Sequence, residues 1–372
     1  MNPFSLLIKP VSATCNLECG YCFYRKTKEF YPARSTAMTA ATLETLLKKY
    51  LEMRFDVSSL CFQGGEPLLA DRDLYHRIPG IFNAHAESGQ TLEVSFQTNA
   101  TLITREWTTL FKHLHALVGV SLDGPAYIHD TARTAADGSG TFSAVMKGID
   151  RLREEHVPFN ILSMITPRSC GNAHAIYDFI LREEFRWLQF IPCLTTATAK
   201  ENNRDFLITG EEYARFYSSL FDRWFENGYP HISIRLFEDI LFYLVDAIHV
   251  SCTFREKCDG YLVIEYNGDV YPCDFFVNND WRIGNIHQHT LTDMLTNHTR
   301  SGFLRLKPAY AGHCRSCKYF GLCRGGCAKH YLYSGKENSS NHFCNGFRRF
   351  LDHAYDRFLE LRDDIIRRRN AQ

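Results

Sequence analysis

The stretch ATCNLECGYCFY, Ala13–Tyr24, decides how the rest of the chain is read. It sets Cys15, Cys19 and Cys22 in the spacing C-x3-C-x2-C, with no fourth thiol beside them. Zinc in a closed site takes four ligands and would draw the fourth from elsewhere. Thiolates also suit an iron–sulfur cluster, where three ligands leave one of four irons open. The spacing alone leaves cluster, zinc and unrelated thiols standing.

Working outward, the stretch follows an apolar run at Ser5–Ile8. Similar runs recur at Leu60–Gln63, Leu92–Gln97, Leu117–Leu122, Phe159–Ile165 and Trp187–Ile191. Their near-continuous apolar character predicts parallel strands buried on both faces. Helical patterns lie between them. Thr39 is placed to cap a helix whose Leu43, Leu46, Leu47, Tyr50 and Leu51 recur at helical spacing. Further helices are expected over Asp71–Ser88, Thr104–His115, Thr141–His156 and Asn172–Glu184. Strand and helix alternating in series predict an α/β fold, either an open sheet or a barrel. Functional loops in both lie at the C-terminal ends of the strands. There stand the opening cysteines, Gly64-Gly65-Glu66-Pro67, Thr98-Asn99 and Asp123-Gly124-Pro125. Four unusual loops on one face mark a site.

The pattern changes near residue 195. Thr195–Asp205 is polar and reads as a loop. Thr209 with Glu212 forms a capping box, ahead of an apolar stripe of Tyr213, Phe216, Tyr217, Leu220, Phe221 and Trp224. A second helix is expected over Leu236–His249. Asn267-Gly268 between alternating residues signals a hairpin. A cysteine-rich stretch and an amphipathic helix from about Phe347 close the chain. The expected division is residues 1–235, a barrel with a trailing helix, and residues 236–372, a small cysteine-rich domain with the last helix.

Composition narrows the classes. The chain has 372 residues, 45% of them hydrophobic, enough for a sizeable core. Lys plus Arg equals Asp plus Glu at 42 each, which gives no electrostatic case for nucleic acid or an anionic membrane. Arg367-Arg368-Arg369 reads as a solvated helix end. No apolar run reaches the roughly 18 to 20 residues of a membrane span, and the N-terminus lacks the pattern of a signal peptide. A cytoplasmic location is expected. Fourteen cysteines in that compartment point to metal or redox chemistry rather than disulfides. Cys61, in a strand, reads as a small core residue, and Cys193 as packing.

The cysteine triad after the first strand, followed by Gly64-Gly65-Glu66-Pro67 after the second, resembles the radical S-adenosylmethionine (SAM) superfamily. The resemblance implies a partial (β/α)6 TIM-like radical SAM barrel. It also implies a 4Fe–4S cluster on Cys15, Cys19 and Cys22 whose open iron chelates SAM, which an electron then cleaves to methionine and a 5′-deoxyadenosyl radical. Gly64, Gly65 and Glu66 would border SAM. Gln97, Asn99, Ser121 and Asp123 lie at strand ends facing the same mouth. Arg133 is placed to pair with the SAM carboxylate and Leu194 to pack near the adenine.

The run from Cys314 to Cys327, C-x2-C-x5-C-x3-C, resembles the SPASM extension, a small α+β domain with two auxiliary 4Fe–4S clusters. Carried over, Cys252, Cys258, Cys273 and Cys327 would hold one cluster, and Cys314, Cys317, Cys323 and Cys344 the other. Spacing alone does not give that pairing, and zinc ribbons are the other reading. IKPVSATCNLECGYCFY, YPCDFF and RIGNI together resemble anaerobic sulfatase-maturating enzymes. These oxidise one cysteine or serine of a sulfatase to Cα-formylglycine. The resemblance implies Asp274 as the base, with Tyr24 and Gln63 around the substrate. It also implies an unfolded or nascent sulfatase polypeptide and an electron donor such as flavodoxin or ferredoxin as partners. Another SPASM enzyme, crosslinking a ribosomal peptide, is the competing reading. It is disfavoured because the first strand begins near residue 5 and leaves no room for a leader-binding domain. An iron–sulfur carrier or zinc interaction module is the non-enzyme reading, and it has no use for the convergent loops.

Overall fold

A computed structural model describes residues 2–31, 37–194, 205–332 and 340–371. The polar segment expected as a loop lies, over 195–204, outside the described residues. The chain forms two compact units. The first holds Met1–Ser121, Arg133–Phe159 and Cys258–Arg305; the second holds Leu122–Ala132, Asn160–Lys257 and Leu306–Gln372.

The strands are β1 (Ser5–Lys9), β2 (Val57–Phe62), β3 (Thr91–Thr98), β4 (Leu117–Ser121), β5 (Phe159–Ile165), β6 (Trp187–Pro192), β7 (Ser233–Ile234), β8 (Tyr261–Glu265), β9 (Asp269–Tyr271) and β10 (Gly284–Asn285). In the first unit their order is β10-β9-β8-β1-β2-β3-β4. β1 to β4 pair in parallel, with Leu7 opposite Cys61 and Cys61 opposite Ser95. The Asn267-Gly268 turn forms as expected and joins β8 to β9 antiparallel. What the sequence did not indicate is where that hairpin docks. β8 adds to β1 in parallel, with Lys9 opposite Glu265.

The strands are not buried evenly on both faces. Along β2 and β3 fully buried residues alternate with half-buried ones. One face, with Leu6, Ile8, Leu60, Phe62, Val94, Phe96, Val118 and Val120, is fully buried. The other carries Ser59, Cys61, Ser95, Gln97 and Ser121, small or polar groups only half covered. Cys61 is therefore on the polar face and not in the core. A period of two separates the faces, so an apolar run can still present every second residue to a cavity.

The helix expected over Asp71–Ser88 is two, Arg72–His76 and Ile78–His85. Pro79 lacks an N–H and its ring clashes with the carbonyl four residues back, so one continuous helix cannot form there. Thr39 caps Ala40–Leu51 as expected, accepting from the Thr42 N–H.

The second unit contains parallel β5, β6 and β7. Its capping box forms: the Glu212 N–H donates to Thr209 Oγ1 at 3.2 Å, and the Thr209 N–H to Glu212 Oε2 at 2.8 Å. The whole apolar stripe of helix Gly210–Asn227 is buried. Phe221 meets Phe237 and Phe358 with ring centroids 5.3 and 4.6 Å apart. The following helix, Arg235–Asp246, stops short of His249 because Ala247 turns left-handed at φ 55°. The buried Asp239 then accepts the Ser251 N–H at 3.3 Å and draws the chain back. The last helix is Cys344–Asn370. No helix among the described residues is long and apolar enough to cross a membrane.

Candidate active site

The opening loop is stitched to the end of β2 by backbone bonds. The Gly65 N–H donates to the Ser12 carbonyl and the Glu66 N–H to the Thr14 carbonyl, each at 2.8 Å. Gly64 has φ +113°, and a side-chain carbon on Gly65 would lie under 3 Å from Thr14 backbone atoms. The two glycines thus let two loops touch. The sequence placed Glu66 beside a cofactor, yet its carboxylate faces the protein's own donors. Oε1 accepts from the Leu68 N–H at 3.0 Å and the Thr98 hydroxyl at 2.7 Å, and Oε2 from the Asn99 N–H at 2.8 Å. Burial still pushes its pKa up to about 7 against those bonds. Glu66 holds the ends of β2 and β3 together.

Asn99 carries that anchorage to the first thiol. Its Nδ2 donates to Asn16 Oδ1 at 2.9 Å and lies 3.7 Å from Cys15 Sγ, which also accepts the Leu17 N–H at 3.3 Å. Cys15 feels the charges of Cys19 and Cys22, so the three thiols gather. Burial pushes the Cys15 thiol up to about 12. Arg133 is buried and stacks on the Tyr21 ring at 5.4 Å; burial raises the Cys22 thiol above its ordinary value, and the Arg133 charge acts against that rise. Amide donors on sulfur and a nearby cation are what an anionic thiolate-bound cluster requires.

A carboxylate at the start of the short 3-10 turn Asp274–Phe276 acts on the polar sheet face at Cys61. Asp274 follows Cys273 and is gripped by two phenols: Tyr24 donates to Oδ2 at 3.0 Å and Tyr261 to Oδ1 at 3.3 Å. The Tyr261 oxygen also lies 3.2 Å from Cys273 Sγ. Burial and the neighbouring Asp274 hold the Tyr24 pKa well above its ordinary value, so Tyr24 stays a donor. Cys22 accepts from the Tyr24 backbone N–H, which makes Tyr24 the link from the opening thiols to Asp274. Lys9 and Glu265 form a fully buried ion pair at 3.1 Å, and the Lys9 ammonium stands 4.8 Å from the Tyr24 ring centroid. Gln63 Nε2 is buried with no partner among the described residues, a donor left for a ligand. Gln97 donates to the Ser121 hydroxyl at 3.0 Å. The Ser95 hydroxyl, across from Cys61, donates to the Leu60 carbonyl at 3.2 Å, and burial first, then the charge of Asp274, raises the Cys61 thiol.

Cys258 and Cys273 also belong to the first unit. The other predicted residues lie in the second. Asp123 Oδ1 accepts the Met164 N–H at 2.9 Å, its own N–H donates to His129 Nδ1 at 3.3 Å, and Leu194 is buried. Cys323 feels Cys314, Cys317 and Cys344, so these four thiols are gathered. Burial raises Cys323 to about 11. The buried Lys307 donates to the carbonyls of Cys252 at 3.3 Å and Thr253 at 2.7 Å. Among the described residues no three His, Cys, Asp or Glu side chains are placed to hold a single metal ion. Four ligands about 2.3 Å or less from one zinc stand closer together than thiolates on four separate irons. The gathered thiols fit the iron–sulfur reading.

Sequence reading missed Lys9, Glu265, Tyr261 and Arg300. Lys9 carried a signal: a cation ends an apolar strand, as Gln63 follows another. Tyr261 reaches Asp274 through the register of the β8–β9 hairpin, whereas Glu265 depends on the docking of β8 against β1 and Arg300 on the seating of its helix, neither of which is visible in the local pattern.

Residues 10–169 match the Radical SAM superfamily and residues 252–318 an iron–sulfur cluster-binding domain, SPASM. The chain is 33% identical to a cysteine-type anaerobic sulfatase-maturating enzyme of Clostridium perfringens (strain 13 / Type A), over 98% of this chain and 100% of that one. It is 28% identical to a serine-type anaerobic sulfatase-maturating enzyme of Bacteroides thetaiotaomicron, over 95% and 89%. A solved structure of native anSMEcpe with bound AdoMet and Cp18Cys peptide superposes with a TM-score of 0.91 at 32% identity, covering 98% of this chain and 100% of that one.

Proposed function

The chain belongs to the anaerobic sulfatase-maturating enzymes, and on that premise we propose that it oxidises a cysteine or serine of a sulfatase to Cα-formylglycine. Cys15, Cys19 and Cys22 would hold the cluster that binds SAM. Cys252, Cys258, Cys273 and Cys327 would hold one auxiliary cluster, and Cys314, Cys317, Cys323 and Cys344 the other. When bound, these groups supply one-electron chemistry: reductive cleavage of SAM yields the agent that removes a hydrogen atom from the substrate.

The chain's own part is proton handling and placement. Loss of a β-hydrogen atom, a thiol or hydroxyl proton and one electron turns the substrate side chain into a thioaldehyde or an aldehyde. Water converts the thioaldehyde to the aldehyde. Asp274 accepts the proton. The phenols of Tyr24 and Tyr261 fix its carboxylate and stabilise its charge. Gln63 offers its unpartnered amide to the substrate backbone. Lys9 and Glu265 keep the Tyr24 ring in place from behind. Gln97, Asn99, Ser121, Asp123, Arg133 and Leu194 would border SAM.

The observation that carries this reading is one carboxylate, beside Cys273, gripped by a phenol whose backbone N–H binds Cys22. The polypeptide is accepted unfolded or nascent, with an electron donor such as a flavodoxin or ferredoxin, in the cytoplasm. The test is anaerobic: reconstitute with iron and sulfide, add reductant and SAM, and offer a peptide carrying C-x-P-x-R and its serine twin. Formylglycine with deoxyadenosine supports the proposal and shows which side chain is accepted. Deoxyadenosine without any change in peptide mass refutes this substrate assignment.

A further inference from the structure

Helix His298–Tyr310 carries Arg300 into the interior of the first unit. The side chain is 2% exposed and among the largest fully buried ones. Its Nη1 donates to the Cys258 carbonyl at 3.2 Å. Its backbone N–H donates to Asn297 Oδ1 at 2.8 Å, and Asn297 in turn donates to the Ile283 carbonyl. The position is therefore fixed from both ends.

No carboxylate among the described residues forms an ion pair with Arg300. The charges that act on it are Asp259, Cys258, Cys273 and Tyr261, and burial pulls its pKa below the ordinary value. Taking an ion out of water costs several kcal/mol unless an opposite charge compensates. A guanidinium does not escape that cost by losing its proton. Asp259 acts on Arg300 most strongly yet makes no ion pair with it, and an anion where the thiols of Cys258 and Cys273 stand completes the compensation.

We propose that Arg300 is the fixed counter-charge of the auxiliary iron–sulfur centre that Cys258 and Cys273 help to hold, and that its guanidinium raises the reduction potential of that centre. The proposal rests on reading those two cysteines as cluster ligands. One-electron reduction adds a negative charge to the centre, and a fixed cation beside it stabilises the reduced state without taking up a proton. Asp274 adjoins Cys273, so the cation eases departure of an electron close to where the substrate gives up its proton. Arg300 is a positioning residue in this sense and touches no reacting atom.

The test uses the full chain with Cys15→Ala, Cys19→Ala and Cys22→Ala, so that only auxiliary centres report. Arg300→Gln keeps an amide donor and loses the charge; Arg300→Lys keeps the charge. Iron and sulfide are counted, and both potentials are followed by paramagnetic resonance during a redox titration. In Arg300→Gln, one centre's reduction equilibrium is expected to weaken at least tenfold, about 59 mV for one electron. The other centre stays in place, and Arg300→Lys stays near the parent. Iron lost from that centre in Arg300→Gln but kept in Arg300→Lys carries the same meaning. Unmoved potentials, equal shifts in both variants or both centres, or iron lost in both variants overturn the proposal. A parent without iron and sulfide removes the ligand reading beneath it, a distinct result.

Discussion

The two cysteine-rich regions of this chain differ in where most of their hydrogen bonds come from. The opening loop is held by distant partners. Glu66 and Gly65 bind its carbonyls from the next strand end, the Glu18 N–H bonds to the Thr134 carbonyl at 2.8 Å, and Asn99 reaches its first sulfur. The C-terminal stretch is held largely by near neighbours, with His342 reaching the Ile208 carbonyl at 3.0 Å. The Cys317 N–H bonds to the Cys314 carbonyl, Gly326 to Cys323, His330 to Cys327 and Cys344 to Asn341, all at 2.8 to 3.0 Å. Tyr331 and Asn341 both donate to the Gly325 carbonyl, at 2.9 and 3.0 Å. A loop fixed by a sheet is shaped before its cofactor arrives. A run of short turns around gathered thiols gains most of its order from the metal.

The contrast can be broken or sharpened by experiment. The largest effect is expected from Asp274→Asn, which removes the base and leaves the opening loop intact. Formylglycine formation should fall by about 10²- to 10⁴-fold while SAM cleavage persists, read as deoxyadenosine against peptide mass. Equal loss of both products would place Asp274 with the loop rather than with the substrate. Next comes Lys9→Met, which leaves Glu265 buried without its partner and is expected to destabilise the first unit by about 3–5 kcal/mol. Denaturant melts under argon measure this, and adding Glu265→Gln should recover much of it. Gly65→Ala pushes a carbon into the Thr14 backbone and should cost about 1–3 kcal/mol. The same variant should slow iron uptake by Cys15, Cys19 and Cys22 and leave uptake by the C-terminal thiols unchanged; uniform slowing would dissolve the contrast. Stripping the metal should raise amide exchange across 314–331 far more than across 5–25, which deuterium uptake checks.

The smallest effect is a slope. Glu66 binds its proton up to about pH 7 in the folded state, whereas an unfolded glutamate releases it near 4.3. Between these values the folded chain holds more protons, so the Glu66 contribution to stability falls as pH rises through that window. Glu66→Gln should flatten this part of the stability profile. A slope unchanged by the substitution assigns it to another group.

The sequence by itself determined the first six strands, because six apolar runs between amphipathic helices leave a chain few other ways to bury them; the two-residue strands Ser233–Ile234 and Gly284–Asn285 left no such run. It also determined the ligand candidates, because close thiols with a paired-glycine loop in the next unit have few other uses. The capping box at Thr209 and the turn at Asn267-Gly268 were equally legible, since both are chemistry between near neighbours. The break at Pro79 was legible in principle. Only tertiary structure decided that β8 lies against β1, and it brings Glu265 to Lys9 and Asp274 to Tyr24 across more than two hundred residues. Only tertiary structure turned Glu66 inward and sent Arg300 to Cys258. Local pattern records which face of an element is apolar. Which partner covers a polar group on that element is settled by the pairing of distant segments, and that pairing leaves no period in the chain.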